Sequence, residues 1–301
     1  MLKILATDGI DKSAVKELEA LGHEVHEQFY EPEELKEALK NYDVVVVRSA
    51  TKIREPIIDA AAEGGKLKMI IRAGVGVDNI DVKYAEGKGI KVRNTPNSSS
   101  ASVAELVLAH MLALSRFVGI SNVTMRNGEW NKKKYKGIEL AGKTLGLVGF
   151  GRISRELAQK ASALGMKIAY TNRSGAKDEY PEFTFMELDE LLKNSDFVSI
   201  HTPAMKDGKA LMDSEKISLM KDGSYLINCA RGGVVDEAAL LDAIKSGKLA
   251  GAGIDVFQEE PTKNKELLDH PNVSVTPHIG GSTNEAQMRI GEEVVEVIKS
   301  L

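Results

Sequence analysis

Short apolar, β-branched runs ending in Gly, Asp, Arg or Asn alternate along the chain with helix-length segments. Five such runs lie near 3–7, 23–27, 43–48, 69–72 and 90–93, with helices beginning after Asp11, Pro32 and Pro56. A second group of six lies near 144–148, 167–170, 197–201, 224–228, 251–256 and 273–276. Runs this continuously apolar predict strands covered on both faces, so the pattern points to an α/β protein built from parallel sheets.

Between the two groups stands SSSASVAELVLAHMLALSR, in which Ser98 or a neighbour can cap a helix that has almost no polar face. Such a helix should be buried on several sides, and its place at a domain junction suggests a subunit interface. His110 within it reads as a packed histidine. The last helical pattern, 283–298, follows the final strand and should return to the first domain. The predicted division is therefore 1–96 with 283–301 as one domain and 97–282 as the other, consistent with about 100–200 residues per domain in a chain of 301.

Composition narrows the function classes. Forty basic against 44 acidic side chains leave a net charge of −4, too mild for a dedicated nucleic-acid or anionic-membrane binder. The single cysteine, Cys229, excludes an internal disulfide and fits a reducing compartment. The N-terminal apolar run is too short for an export signal, so a cytoplasmic location is expected. No His/Cys/Asp/Glu cluster has metal-ligand spacing, and no metal is expected.

The stretch KTLGLVGFGRISRELAQKASALGMKIAYTNRS reads as strand, glycine turn, helix and second strand, the context that a dinucleotide fingerprint requires. Gly149 permits the tight turn, and Gly151 the approach of backbone to a pyrophosphate at the helix N-terminus. Ser154 replaces the third glycine. At the end of the second strand an NAD site usually carries Asp or Glu, whereas this chain has Thr171, Asn172, Arg173 and Ser174. Arg173 can pair with a 2′-phosphate, which favours NADP over NAD; the alternative is an arginine stacked on adenine in an NAD site.

Three later segments, NCARGGVVDEAAL, GIDVFQEEP and VTPHIGG, each place a polar residue just beyond an apolar run, at the sheet edge where sites assemble. Hydride transfer from a 2-hydroxy acid needs a cation for the carboxylate, a base for the hydroxyl proton and a group to hold that base. Arg231, His278 and Glu260 supply one candidate for each. His201, in HTP after a strand, is expected to line the cofactor cleft.

With VVVVRSATKI, IIRAGVGVDNIDV, VRNTPNSSSASVAEL, LAGKTLGLVGFGRI, INCARGGVVDEAALLDAIKSGKLAGAGIDVF and TPHIGGST, the chain resembles the D-isomer specific 2-hydroxyacid dehydrogenases, and among them the phosphoglycerate enzymes. The resemblance covers nearly the whole chain. It implies a flavodoxin-like substrate domain, an inserted Rossmann domain and a homodimer built on the latter. It places the substrate carboxylate on Arg231 and the Val75–Gly76 backbone, and acid/base work on His278 with Glu260 as partner. It implies cofactor contacts at Gly149, Gly151, Arg152, Ile153, Thr202, Pro203, Cys229, Ala230, Asp255, Gly280 and Gly281. Substrate contacts are implied at Ser49 and Ser99, with Arg48, Arg72 and a neighbouring subunit's Lys132 as phosphate cations.

Three departures stand out: Ser154, Thr171, and Ser99 where phosphoglycerate enzymes commonly have Asn. TNRS is similar instead to NADP-dependent glyoxylate and hydroxypyruvate reductases, the nearest rival reading. A more distant rival is a nucleotide-sensing corepressor on the same fold. The sequence as given leaves no room after Leu301 for the regulatory domain through which some relatives sense serine, so feedback by that route is not expected.

Overall fold

Each apolar run of the first group forms a strand of one parallel sheet: β1 (Lys3–Ala6), β2 (Glu24–Glu27), β3 (Val44–Val47), β4 (Met69–Arg72) and β5 (Lys91–Asn94), in the order β2-β1-β3-β4-β5. Composition explains the order. The VVVV strand β3 is buried throughout and lies in the middle, whereas EVHE and KVRN show exposed positions and form the edges. Helix α1 (Lys12–Ala20) begins where Asp11 accepts a hydrogen bond from the Ser13 N–H. Helices α2 (Pro32–Leu39) and α3 (Glu55–Gly64) carry Pro in the first turn, where no N–H is needed, and α4 (Val82–Gly87) completes the set.

The computed structural model describes residues 1–205 and 207–301, and the chain divides into two compact units. One is Met1–Ser99 with Gly281–Leu301; the other is Ser100–Gly280.

The second unit opens with α5 (Ser100–Ser115) and α6 (Val118–Arg126), followed by β6 (Thr144–Val148), α7 (Arg152–Ala163), β7 (Lys167–Thr171), β8 (Thr184–Phe185), α8 (Leu188–Asn194) and β9 (Phe197–Ile200). Then come α9 (Ser214–Leu219), β10 (Ser224–Asn228), α10 (Glu237–Lys245), β11 (Leu249–Ile254), α11 (Lys265–Leu268) and β12 (Val273–Val275). The sheet is wholly parallel, ordered β12-β11-β10-β9-β6-β7-β8. It has seven strands among the described residues, not the six expected, because β8 is a two-residue edge strand too short to show a hydrophobic period.

Helix α5 lies on this sheet through Val103, Val107, Met111 and Leu114, packed with Leu145, Leu147 and Ile227. Each such side chain, fully buried, contributes about 1.5–3 kcal/mol. The close fit depends on Gly253, where a Cβ would fall 2.7 Å from the Cβ of His110. Within the unit α5 is covered by the sheet, α7 and α6, while Leu112 remains 43% exposed. The terminal helix α12 (Asn284–Lys299) belongs to the first unit, where Ile290, Val294, Val295 and Ile298 cover Ile4, Val44, Val46 and Ile71.

Candidate active site and nucleotide-binding turn

Open parallel sheets bind ligands beyond their strand C-termini, where the strand order reverses. In the second unit that point lies between β6 and β9. Gly149, the first residue after β6, has φ +95°, and a Cβ there would meet the His201 carbonyl oxygen at 2.7 Å. Only glycine fits this turn. At Gly151, by contrast, an added Cβ meets nothing within 4 Å, and no side chain caps α7 there. The N–H groups of the first turn, from Arg152 and Ile153 onward, belong to this helix start.

Ser154 fits the tight helix–sheet packing because its hydroxyl turns back to donate to the Gly151 carbonyl at 3.0 Å. The Thr202 hydroxyl is buried and has no hydrogen-bond partner among the described residues, beside a turn open to an anion. These features fit a dinucleotide. His201 donates or accepts at Ser199 Oγ, 2.9 Å away, and burial pushes its pKa down to about 3, so its ring stays neutral. Pro203 continues this segment and is exposed. At the end of β7, Asn172 donates to Ser174 Oγ at 3.0 Å, and exposed Arg173 has no carboxylate partner among the described residues.

Beyond β10, β11 and β12 three loops are locked together. Asn228, buried at the end of β10, accepts from the Ala230 N–H at 3.1 Å and donates to the Arg231 carbonyl at 3.0 Å, which shapes the turn through Cys229. Burial, reinforced by the negative charge of Asp255, pushes the Cys229 thiol well above its usual value and keeps it protonated. Gly232 lies against the next loop so closely that a Cβ would be 1.8 Å from the Phe257 carbonyl oxygen. The Arg231 loop is therefore seated on the loop that carries Glu260.

Glu260 Oε1 accepts from the Phe257 N–H at 3.0 Å, and Oε2 lies 2.8 Å from His278 Nδ1. A carboxylate only accepts, so Nδ1 carries the proton and Nε2 is left to exchange one with a ligand. His278 has φ +54°, a left-handed conformation uncommon for a residue with a side chain. Its N–H donates to the Asp255 carbonyl at 2.8 Å, and the Asp255 carboxylate accepts from Ile279 and Gly280 N–H at 2.8 and 2.9 Å. The fold brings Glu260 and His278 together. The turn bonds of Asn228 and the Thr276 hydroxyl that supports Asp255 left no mark in the sequence pattern.

In the first unit the strand order reverses between β1 and β3, and Arg48 follows β3 directly. Asp8, just after β1, accepts from the Arg48 and Thr51 N–H groups at 2.6 and 3.2 Å. Asn79 donates to the Arg48 and Thr51 carbonyls at 2.7 and 2.6 Å. This clamp, which sequence reasoning missed, fixes the backbone while the half-buried Arg48 guanidinium has no acidic partner among the described residues. Arg72 ends β4 and donates to the Ala73 carbonyl at 2.6 Å. Gly74, φ +149°, admits that guanidinium, which would lie 1.7 Å from a Cβ.

Asn94 holds the Val75 carbonyl at 2.6 Å, next to Gly76. Ser49 is exposed, Ser99 is buried against Gly281, and Lys132 stands exposed on a short turn of the second unit.

Residues 108–280 match the family model described as D-isomer specific 2-hydroxyacid dehydrogenase, NAD binding domain. Hydroxypyruvate reductase of Thermotoga maritima is 46% identical over 98% of this chain and 97% of its own length. This chain belongs to the D-isomer specific 2-hydroxyacid dehydrogenases. D-3-phosphoglycerate dehydrogenase of Methanocaldococcus jannaschii is 45% identical over all of this chain but 57% of its own length, so the chain spans little more than half of that relative. The crystal structure of a glyoxylate reductase from Paecilomyes thermophila superposes with a TM-score of 0.90 at 30% identity, covering 99% of this chain and 94% of that one. The family supports a nicotinamide-dinucleotide domain on the second unit and a 2-hydroxy acid as the class of substrate. Among the described residues no group of three or more His, Cys, Asp or Glu could hold a metal ion, and no single helix is long and apolar enough to cross a membrane.

Proposed function

We propose that the protein interconverts D-3-phosphoglycerate and 3-phosphohydroxypyruvate, a first step toward serine. The observation that carries the substrate is Arg48: a guanidinium without an acidic partner, on a clamped backbone, at the point where the first sheet reverses its strand order. Arg48 and Arg72 take the phosphate through charge-assisted hydrogen bonds, with Lys132 of a second copy as a further cation. Arg231 and the Val75 and Gly76 N–H groups take the carboxylate, the guanidinium matching its two oxygens. Ser49 and Ser99 complete the substrate contacts.

A dinucleotide bound at this turn would supply the hydride-transfer chemistry for C2 of the substrate. Gly149, Gly151, Arg152, Ile153, Thr202 and Pro203 would hold its phosphates, and Cys229, Ala230, Gly280 and Gly281 would line its other end, with the buried Asp255 acting through the backbone that it fixes. His278 takes the substrate hydroxyl proton at Nε2 during oxidation and returns it during reduction. Glu260 keeps Nδ1 protonated and stabilises the imidazolium that forms. Oxidation therefore requires a bare His278 Nε2 at the start, and reduction requires the proton to be on it. Arg173, with Asn172 and Ser174, favours NADP, whose 2′-phosphate a carboxylate at the end of β7 would repel.

Reduction of hydroxypyruvate or glyoxylate with NADPH is the second reading, favoured by Thr171 standing where a carboxylate would select NAD. Arg48→Ala separates the two. Loss of one charge-assisted contact, about 1.5–3 kcal/mol, raises KM for D-3-phosphoglycerate about 10- to 100-fold, with KM for hydroxypyruvate little changed. Equal effects on both substrates, or none, would count against a phosphorylated substrate.

A further inference from the structure

Beneath the His278 loop runs a chain of four side chains, Ser274, His110, Thr276 and Asp255, all within the second unit. Asp255, 1% exposed, accepts from Thr276 Oγ1 at 2.6 Å in addition to the two backbone N–H groups already described. The Thr276 proton is thereby committed to the carboxylate. Its oxygen can only accept from His110 Nε2, 3.1 Å away, so Nε2 carries a proton. In the neutral ring Nδ1 is then bare, and the Ser274 hydroxyl donates to it at 2.8 Å. The direction of every hydrogen bond follows: Ser274 to His110, His110 to Thr276, Thr276 to Asp255.

Burial lowers the His110 pKa, opposed by the charge of Asp255, which agrees with a neutral ring. Gly253 lets the helix approach this closely, since a Cβ there would fall 2.7 Å from the His110 Cβ and 3.0 Å from its Cγ. An aliphatic side chain at 110 would take from the half-buried Ser274 hydroxyl this acceptor and leave Thr276 with its bond to Asp255 alone.

We propose that His110 is a positioning residue for His278, held as the Nε2–H tautomer so that it fixes Thr276 and Asp255 and, through them, the backbone of residues 278–280. Asp255 is the link, because the same residue accepts the His278 N–H at its carbonyl and the Ile279 and Gly280 N–H groups at its carboxylate. The role rests on the dehydrogenase reading above; the tautomer does not.

Long-range nitrogen–proton correlation spectra of the full chain, with His110→Gln to identify the signal, read the tautomer directly. The expected result is a neutral ring protonated at Nε2 from mildly acid to mildly alkaline pH. A ring protonated at Nδ1, or at both nitrogens at neutral pH, overturns the inference.

Kinetics read the role. His110→Leu should lower kcat about tenfold or more while KM for the 2-hydroxy acid is little changed, because the side-chain series from His110 runs to the loop beyond β12 and not to the one that carries Arg231. His110→Gln, with an amide N–H for Thr276 and a carbonyl for Ser274, should recover most of that loss. A Leu variant as fast as wild type, or a Gln variant as slow as the Leu variant, overturns the positioning role alone. If His110→Leu does not fold, the Gln variant and the spectra decide. A wild-type chain that turns over no 2-hydroxy acid overturns the dehydrogenase reading, and the positioning role with it, whatever the tautomer.

Discussion

At the scale of single residues the feature that needs explaining is a histidine in a left-handed conformation whose partner is a solvent-facing glutamate. Both side chains of the His278–Glu260 pair are 37% exposed, and ion pairs this open contribute about 0–1 kcal/mol to stability. A backbone held in a sparsely populated region for so small a return points to chemistry. His278→Gln, which keeps a side-chain amide for Glu260 but cannot exchange a proton, should reduce kcat about 10²- to 10⁴-fold with a melting temperature close to that of wild type. A variant that retained most of its turnover would remove His278 from the acid/base role. The three residues proposed for chemistry stood out because each lies within a few positions of the end of an apolar run. The roles of Asp8, Asn79 and His110 were not legible, since their partners lie 28 to 166 positions away along the chain, nor was that of Asn228, whose local turn bonds leave no hydrophobic pattern.

At the scale of elements, the glycine pattern and strand lengths were readable because parallel strands buried on both faces leave apolar runs that end abruptly. The edge strand β8 was not, having two residues and no period. The α5–α6 pair carries more apolar surface than its own unit covers. Besides Leu112, residues Val118, Val123 and Met125 of α6 are each more than half exposed, and Trp130 stands out just beyond. Several large apolar side chains left exposed on one helix pair mark a candidate interface. A second copy of the chain covers it in our account. Light scattering should give twice the chain mass, and replacing Val123 and Met125 with Asp should shift the mass toward that of a single chain without loss of helical signal. A wild-type chain that stays single at high concentration would rule the pairing out.

At the scale of the whole molecule, sequence pattern alone separated two groups of strands and assigned the terminal helix to the first, because α12 has no strand left to join in the second. The sheet orders were not visible in the pattern; they emerge from which strands can afford exposed edges, as EVHE and KVRN can and VVVV cannot. These orders place Gly149 and Thr202 at one reversal point and Arg48 at the other, and the functional account rests on that placement. The most direct test is oxidation of D-3-phosphoglycerate by the purified chain at alkaline pH, with the keto product trapped, NAD and NADP run in parallel, and hydroxypyruvate reduction measured on the same preparation. The account predicts turnover of D-3-phosphoglycerate, faster with NADP, at a kcat/KM above that for hydroxypyruvate. Turnover of hydroxypyruvate alone, or of neither substrate with either cofactor, would contradict it.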